Sequence, residues 1–345
     1  MDGIFNLCKP VGMTSHDVVA RVRRLTHQKR VGHAGTLDPA ASGVLPVCLG
    51  LATRVVEYLS EGGKSYRATI VFGVVTNTYD AEGEVVRSAS VHLSREAIEA
   101  ALPAFLGDQM QVPPLYSAIK KDGQPLYKLA RAGIEVELQP RPVVISRLEV
   151  LEWQPPALTL EVECSKGTYI RSLAYDLGER LGCGAHLGGL VRLRSGPFTL
   201  EESLTLEELA QALDDGSWVE YLFAPDEALL QCGAVIVGPG NEQRILQGQG
   251  LRLASGAVLP ALPVMATAMS APPVIAPVAA SDGDAEEQKR AGGGLQEREE
   301  ERTSDLLRAY SVDGRFLAIL SWQRDSATWH PQKVFHLVPV GEAEH

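Results

Sequence analysis

Apolar residues Val18, Val19, Val22 and Leu25 follow helical spacing, with Arg21, Arg24 and Gln28 on other faces. Thr14 precedes them with Asp17 three residues on, the arrangement of a capping box. Tyr66–Val75 is rich in β-branched and aromatic residues and predicts a strand. Ser94 stands where it would cap a helix over 95–106, with Leu93 and Ile98 as a hydrophobic staple. Leu158, Leu160, Val162 and Cys164 alternate with Thr159, Glu161 and Glu163, which predicts a half-buried strand. That strand feeds through Ser165-Lys166-Gly167-Thr168 into a helix with Ile170, Leu173, Ala174, Leu177 and Leu181 on one side, ended by Gly182. Tyr169 and Arg171 therefore stand at a strand-to-helix junction. Thr205 and Glu208 cap a further helix reaching Leu213.

Past residue 229 the pattern changes. Ala234–Val237 and Leu251–Leu253 predict short strands, and then Ala257–Ser304 loses periodicity. Its first half is dominated by Ala, Pro, Val and Met; its second is dense in charge around Gly292-Gly293-Gly294. Neither half offers a repeating apolar face to build a core. Strands resume over Leu306–Val312 and Arg315–Ser321, joined by the hairpin signal Asp313-Gly314, and a last one is predicted over Lys333–Val338. The domains expected are 1–228, with 110–137 as an insertion, and a small β domain over 229–340 interrupted by a flexible linker over 257–304.

The 345 residues suit two domains, and a hydrophobic fraction of 45% is ordinary for a globular chain. No apolar run approaches the roughly 20 residues of a membrane-spanning helix. Met1-Asp2-Gly3-Ile4 shows no basic stretch followed by an apolar one, so no secretory signal is expected. Cys8, Cys48, Cys164, Cys183 and Cys232 are scattered without a Cys-x-x-Cys pair. A disulfide framework or zinc site is thus not expected, and a reducing cytoplasm fits. A net charge of −11 runs against nucleic-acid binding, but its distribution changes that reading. Residues 1–200 carry 22 basic against 20 acidic side chains, and the remainder carries 10 against 23. Arg21, Arg23, Arg24, His27, Lys29 and Arg30 form a local basic stripe of the kind phosphate contact requires. Within 110–137, Tyr116, Lys120, Lys121, Tyr127, Lys128 and Arg131 interleave aromatics with cations, which suits a surface that grips RNA.

Just after the basic stripe lies Gly32-His33-Ala34-Gly35-Thr36-Leu37-Asp38-Pro39, closed by Ser42-Gly43-Val44-Leu45-Pro46. It offers one acid and one imidazole on a tightly shaped loop, a composition that positions chemistry more often than it builds a core. This segment resembles the active-site motif of the pseudouridine synthases of the TruB type. Three further segments match in the same order: Lys9-Pro10-x-Gly12-Met13-Thr14-Ser15, Lys64-Ser65-Tyr66-Arg67-Ala68 and Ser165-Lys166-Gly167-Thr168-Tyr169-Ile170-Arg171-Ser172. Taken singly, an Asp in such a loop is ordinarily a turn former, a strand Tyr is packing, and an Arg opening a helix is a surface residue. Together and in order they carry the resemblance.

The resemblance implies an α+β fold, with a mixed, mainly antiparallel sheet flanked by helices and a small C-terminal β domain of the PUA kind. It implies a cofactor-independent isomerase, without metal, that converts uridine 55 of the tRNA T-loop to pseudouridine after flipping the base. Asp38 would be the catalytic nucleophile and Arg171 its ion-pair partner. Tyr66 would lie against the target base, as a stacking group or as the base that removes a proton. His33 would contact RNA near the flipped nucleotide, Tyr169 would hydrogen-bond within the Asp38–Arg171 pair, and Leu190 would wall the uracil. Lys9 would contact RNA or brace the Asp38 loop. The partner expected is tRNA at its T-loop and elbow, with no membrane and no obligate protein partner, and the protein acting as a monomer. Two other readings remain: a tRNA-folding chaperone in which catalysis is secondary, and a synthase acting on another RNA.

Overall fold

The structure, a computed structural model, describes residues 1–116, 120–121, 124–125, 138–253, 257–261 and 305–337. It divides into two compact units, Met1–Ala228 (joined by Leu337) and Leu229–His336.

The first unit runs β1 (Gly3–Lys9), α1 (Ser15–Thr26), β2 (Val31–His33), β3 (Ala41–Leu49), α2 (Val56–Glu61), β4 (Lys64–Phe72), β5 (Val74–Thr76), β6 (Val85–Ser88), α3 (Arg95–Ala101) and β7 (Gly107–Gln111). It continues with β8 (Lys120–Lys121), β9 (Gln124–Pro125), β10 (Arg141–Gln154), β11 (Ala157–Cys164), α4 (Ile170–Arg180), β12 (Ala185–Ser195), β13 (Phe198–Thr199), α5 (Leu206–Asp215) and β14 (Leu222–Phe223). The main sheet is ordered β14-β1-β3-β12-β4-β11-β10-β7, with β2 also on β3 and β13 also on β12. Its pairings are antiparallel except β3 with β12, where Leu190, Val191 and Arg192 run parallel to Ala41, Ser42 and Gly43.

Two apolar clusters fix this sheet. In one, Ile170, Leu173, Ala174 and Leu177 of α4 and Ile98 of α3 pack on Ala68, Ile70, Leu158, Leu160 and Val162. In the other, Val18, Val19 and Val22 of α1 and Leu206 and Leu209 of α5 pack on Phe5, Leu7, Leu45 and Val47. Each fully buried Val or Leu contributes roughly 1.5–3 kcal/mol relative to exposure. The helices begin where the sequence places their caps. Thr14 with Asp17 and Thr205 with Glu208 both form reciprocal capping boxes, and the Ser94 side chain accepts from the Ala97 N–H.

Strand β12 joins the halves, lying between β3 and β4. Its parallel approach to β3 demands a residue without Cβ at Gly43. There φ is +102°, and a Cβ would fall 2.2 Å from the Arg192 carbonyl oxygen and 2.7 Å from its nitrogen.

The second unit holds β15 (Gly233–Val237), α6 (Pro239–Leu246), β16 (Val258–Leu259), β17 (Leu306–Ser311), β18 (Phe316–Gln323) and β19 (Thr328–Val334), with sheet order β16-β15-β17-β18-β19. Val235, Val237, Ile245, Leu251, Leu307, Leu317 and Leu320 form its core.

Several sequence expectations are corrected. The strand predicted over Tyr66–Val75 breaks at Gly73, where φ is +86°, and Val74–Thr76 pairs instead with β6. The helix predicted over 95–106 stops at Ala101 and tightens into a 3₁₀ turn, Leu102–Phe105, because Pro103 has no N–H to continue the α-helical ladder. Leu251–Leu253 forms no strand, only a bridge from Leu251 to Trp329. The last strand lies earlier than Lys333–Val338, at Thr328–Val334, where Trp329 stands opposite Trp322. Val258–Leu259 pairs with β15, so the expected linker does not begin at 257; residues 262–304 lie outside the described residues. Among the described residues no helix is long and apolar enough to cross a membrane.

Gly43→Ala should destabilise the protein by at least about 2 kcal/mol, combining strain at positive φ with displacement of the Arg192 backbone. Urea unfolding of the two proteins side by side reads this directly; an unchanged midpoint would mean that β3 and β12 approach less closely than described.

Candidate functional site

The loop between β2 and β3 carries Asp38, and its backbone is held from beneath. Ser15, the first residue of α1, is buried; its Oγ accepts from the Leu37 N–H at 2.9 Å and donates to the Leu37 carbonyl at 3.1 Å. The Gly12 N–H donates to the Pro39 carbonyl at 2.8 Å. Lys9 is fully buried, and its Nζ donates to the carbonyls of Met13 at 2.7 Å, Pro10 at 2.8 Å and Pro39 at 3.4 Å. Lys9 therefore braces this loop from inside; the alternative reading of Lys9 as an RNA contact fails, because its ammonium does not reach the surface. Desolvation lowers its pKa, opposed by the charge of Asp38. The Asp38 side chain itself stays 46% exposed.

Arg171 enters from α4 and is nearly buried. Its Nη2 lies 3.1 Å from Asp38 Oδ2 and its Nη1 3.2 Å from Asp80 Oδ2. The Tyr116 carbonyl accepts from Nη2 at 2.9 Å and the Thr78 carbonyl from Nη1 at 3.5 Å. Asp80 is fixed in turn: its Oδ1 accepts from Thr78 Oγ1 at 2.6 Å and from the Glu82 N–H at 3.1 Å. Tyr79 takes positive φ, 63°, and stacks on Tyr175 of α4 with ring centroids 4.1 Å apart, which ties the Asp80 turn to the helix that bears Arg171. The start of α4 is clasped by buried Gln111, which accepts from the Tyr169 N–H at 2.7 Å and donates to the Tyr169 carbonyl at 3.0 Å. Tyr169 is thus the N-cap of α4, one residue before its first turn.

Tyr66 and Arg192 are cross-strand partners between β4 and β12, and both are buried. Arg192 Nε donates to the Val44 carbonyl at 2.6 Å and Nη2 to the Gly35 carbonyl at 2.9 Å. Burial raises the Tyr66 pKa above its ordinary value, against the pull of Arg192, so the phenol is neutral near neutral pH. The reading of Tyr66 as a resting base is not favoured by this environment. Leu190 pairs with Ala41 on one side and Ala68 on the other, placing an apolar side chain between the Asp38 loop and the Tyr66 strand. Lys64, two residues before Tyr66, is pushed down to about 8 by burial and donates to the carbonyls of Gly62 at 2.7 Å and Ser60 at 3.0 Å.

His33 ends β2 and meets His16 edge-to-face, with ring centroids 5.4 Å apart. Burial, then the charges of His16 and Arg192, push its imidazole down to about 4. Arg21, Arg23, Arg24, His27, Lys29 and Arg30 of the basic stripe are all exposed, and two of them also bond within the protein: Arg23 donates to the Val31 carbonyl at 2.7 Å and Arg30 to Thr53. Tyr127, Lys128 and Arg131 lie outside the described residues. Among the described residues no group of three or more His, Cys, Asp or Glu could hold a metal ion.

The structure therefore brings Asp38 and Arg171 together, with Tyr66 and Leu190 on adjacent strands. Sequence reasoning missed Asp80 and Gln111, and it assigned no role to Arg192. The signal for Asp80 was the polar, turn-forming run Thr76-Asn77-Thr78-Tyr79-Asp80; nothing local marked Gln111.

Comparison with known proteins places these residues in context. The N-terminal domain of the TruB family of pseudouridylate synthases matches residues 23–170, and the C-terminal domain of tRNA pseudouridylate synthase B matches residues 171–231. The tRNA pseudouridine synthase B of Dehalococcoides mccartyi (strain ATCC BAA-2266) is 40% identical over 336 residues, 97% of each chain. That of Symbiobacterium thermophilum is 51% identical over 252 residues, 72% of this chain and 82% of its own. Among solved structures, a chain of a Cbf5–Nop10–Gar1 complex superposes with a TM-score of 0.68 at 26% identity, covering 96% of this chain and 84% of that one.

Two outcomes follow from the geometry. Asp80→Asn keeps an acceptor for Thr78 and Glu82 but leaves the buried Arg171 with one half-exposed counter-charge. It should cost on the order of 1–3 kcal/mol in urea unfolding; no loss would show that Asp80 does not hold Arg171. His33 should titrate by NMR with a midpoint near 4. Its folded pKa lies below the unfolded value, so the unfolded chain binds more protons between about 6.5 and 4, and stability falls as pH falls through that window. In His33→Gln that part of the pH dependence should vanish.

Proposed function

The chain belongs to the TruB family of pseudouridylate synthases, and we propose that it isomerises uridine 55 in the T-loop of tRNA, with Asp38 as nucleophile. It is an isomerase acting on tRNA, as a tRNA pseudouridine synthase. The reaction breaks the C1′–N1 bond of uridine, turns the base and forms C1′–C5. The proton on C5 is lost and one is gained at N1, so electrons balance without a redox partner.

The observation that carries the reading is the asymmetry of the Asp38–Arg171 pair. The cation is 8% exposed and fixed by Asp80, Thr78 and Tyr116, while the carboxylate is 46% exposed. A carboxylate held in one orientation yet open on one side can meet a nucleotide turned out of its stack. Flipping costs a few kcal/mol, and the exposed Arg21, Arg24 and Lys29 offer phosphate contacts to offset it. Leu190 supplies an apolar wall that keeps water from the detached sugar. His33, neutral at physiological pH, contacts the RNA beside the flipped nucleotide. Tyr169, tethered at its backbone by Gln111, orients Arg171 from the start of α4. Tyr66 faces the base.

The test uses an unmodified tRNA transcript and purified protein, with no other component. Carbodiimide treatment and primer extension should give a stop at position 55. Asp38→Asn should lower single-turnover rates by on the order of ten-thousandfold while tRNA binding persists. A stop elsewhere would reassign the substrate position, and normal turnover by Asp38→Asn would remove the nucleophile.

A further inference from the structure

Arg171 directs its hydrogen bonds away from Asp38, its exposed ion-pair partner. Nη2 donates to the Tyr116 carbonyl at 2.9 Å. Nη1 donates to Asp80 Oδ2 at 3.2 Å and to the Thr78 carbonyl at 3.5 Å. Asp38 Oδ2 lies 3.1 Å from Nη2 as an ion pair, and among the described residues no hydrogen bond of Arg171 ends on it. A guanidinium beside a carboxylate commonly forks onto it with two parallel N–H···O bonds. Here the fork is occupied by other acceptors. Asp38 receives the charge of Arg171 without its donors.

The acceptor on Nη2 belongs to a segment fastened to the start of α4. Gln111, the last residue of β7, accepts from the Tyr169 N–H at 2.7 Å and donates to the Tyr169 carbonyl at 3.0 Å. Ser172, also buried, donates from Oγ to the Val112 carbonyl at 2.7 Å. Pro113 and Pro114 follow, both buried, and their fixed φ stiffens the run up to Tyr116. Residues Tyr169, Arg171 and Ser172 are thus each tied to the segment Gln111–Tyr116. We propose that this segment tunes the nucleophile: it holds the Arg171 hydrogens off Asp38, so that the guanidinium compensates the carboxylate's charge and leaves its lone pairs uncapped. Gln111 and Ser172 are then positioning residues that act through Arg171. This rests on the pseudouridine synthase reading. In that reaction an Asp38 lone pair forms the bond to C1′ as the C1′–N1 electron pair passes to the pyrimidine. A lone pair capped by a charge-assisted hydrogen bond must first be released, and that release adds to the barrier.

Three variants loosen the segment. Gln111→Met removes both bonds to Tyr169 with a side chain of similar length, and Ser172→Ala removes the bond to Val112. An α-hydroxy acid at position 117 turns the Tyr116 peptide into an ester, whose carbonyl is a weaker acceptor. Single-turnover rates at saturating unmodified tRNA, and tRNA affinity, are measured for each. Rates should fall by on the order of ten- to a hundredfold at unchanged affinity. An ammonium has no fork to redirect, so in an Arg171→Lys background each change should cost less than about threefold. Losses that simply multiply there would make the segment a scaffold alone and overturn the inference. Unchanged rates, or lost affinity in place of lost rate, would overturn it as well. Should Gln111→Met fail to fold, Ser172→Ala and the ester decide the same question. Absence of wild-type turnover is the failure of the functional reading; wild-type turnover with multiplying losses is the failure of this inference only.

Discussion

Arg192 donates from Nη2 to the Gly35 carbonyl and from Nε to the Val44 carbonyl, so one guanidinium grips the chain on either side of Asp38. It can do so because β12 lies parallel to β3 and close enough that only glycine fits at position 43. Between these two grips residues 36–40 belong to no strand or helix, and β3 begins only at Ala41. Without an external clamp, a carboxylate there would wander by more than the fraction of an ångström that reactivity tolerates. Ser15, Gly12 and Lys9 complete the clamp from α1 and β1.

Lys9, Lys64 and Arg192 share an unusual solution to burial. Each is desolvated, each has its pKa lowered by that burial, and each spends its donors on main-chain carbonyls. Burying an unpaired cation is costly, and carbonyl dipoles satisfy its hydrogen bonds without cancelling its charge. The result is a positive field under the Asp38 loop. Arg171 is built differently, between two carboxylates, and one of these is open to solvent. The contrast separates the cations that shape the loop from the cation that pairs with Asp38.

Much of the local structure was legible in the chain. Thr14 with Asp17 and Thr205 with Glu208 announce their helices because a capping box is a contact between residues three apart. The alternation over Leu158–Cys164 announces a strand with one face buried, and the structure shows that alternation residue by residue. The failures are also instructive. Gly73 and Pro103 ended elements that composition alone would have carried further. The last strand moved to Thr328 because Trp329 found its cross-strand partner in Trp322, a choice made by pairing rather than by propensity.

The sequence by itself determined which chemical groups this protein has, the helix starts, the alternating strand and the ordered motifs that identify the family. Those depend on residues close together in the chain. Only the tertiary structure decided that Asp80 shares Arg171 with Asp38, that Gln111 clasps Tyr169, that Lys9 is a brace, and that Arg192 faces Tyr66. These contacts arise from a sheet order that sets β12 between β3 and β4. Pairing strands so distant in the chain is chosen by the burial of whole faces, and no short window of residues records that choice.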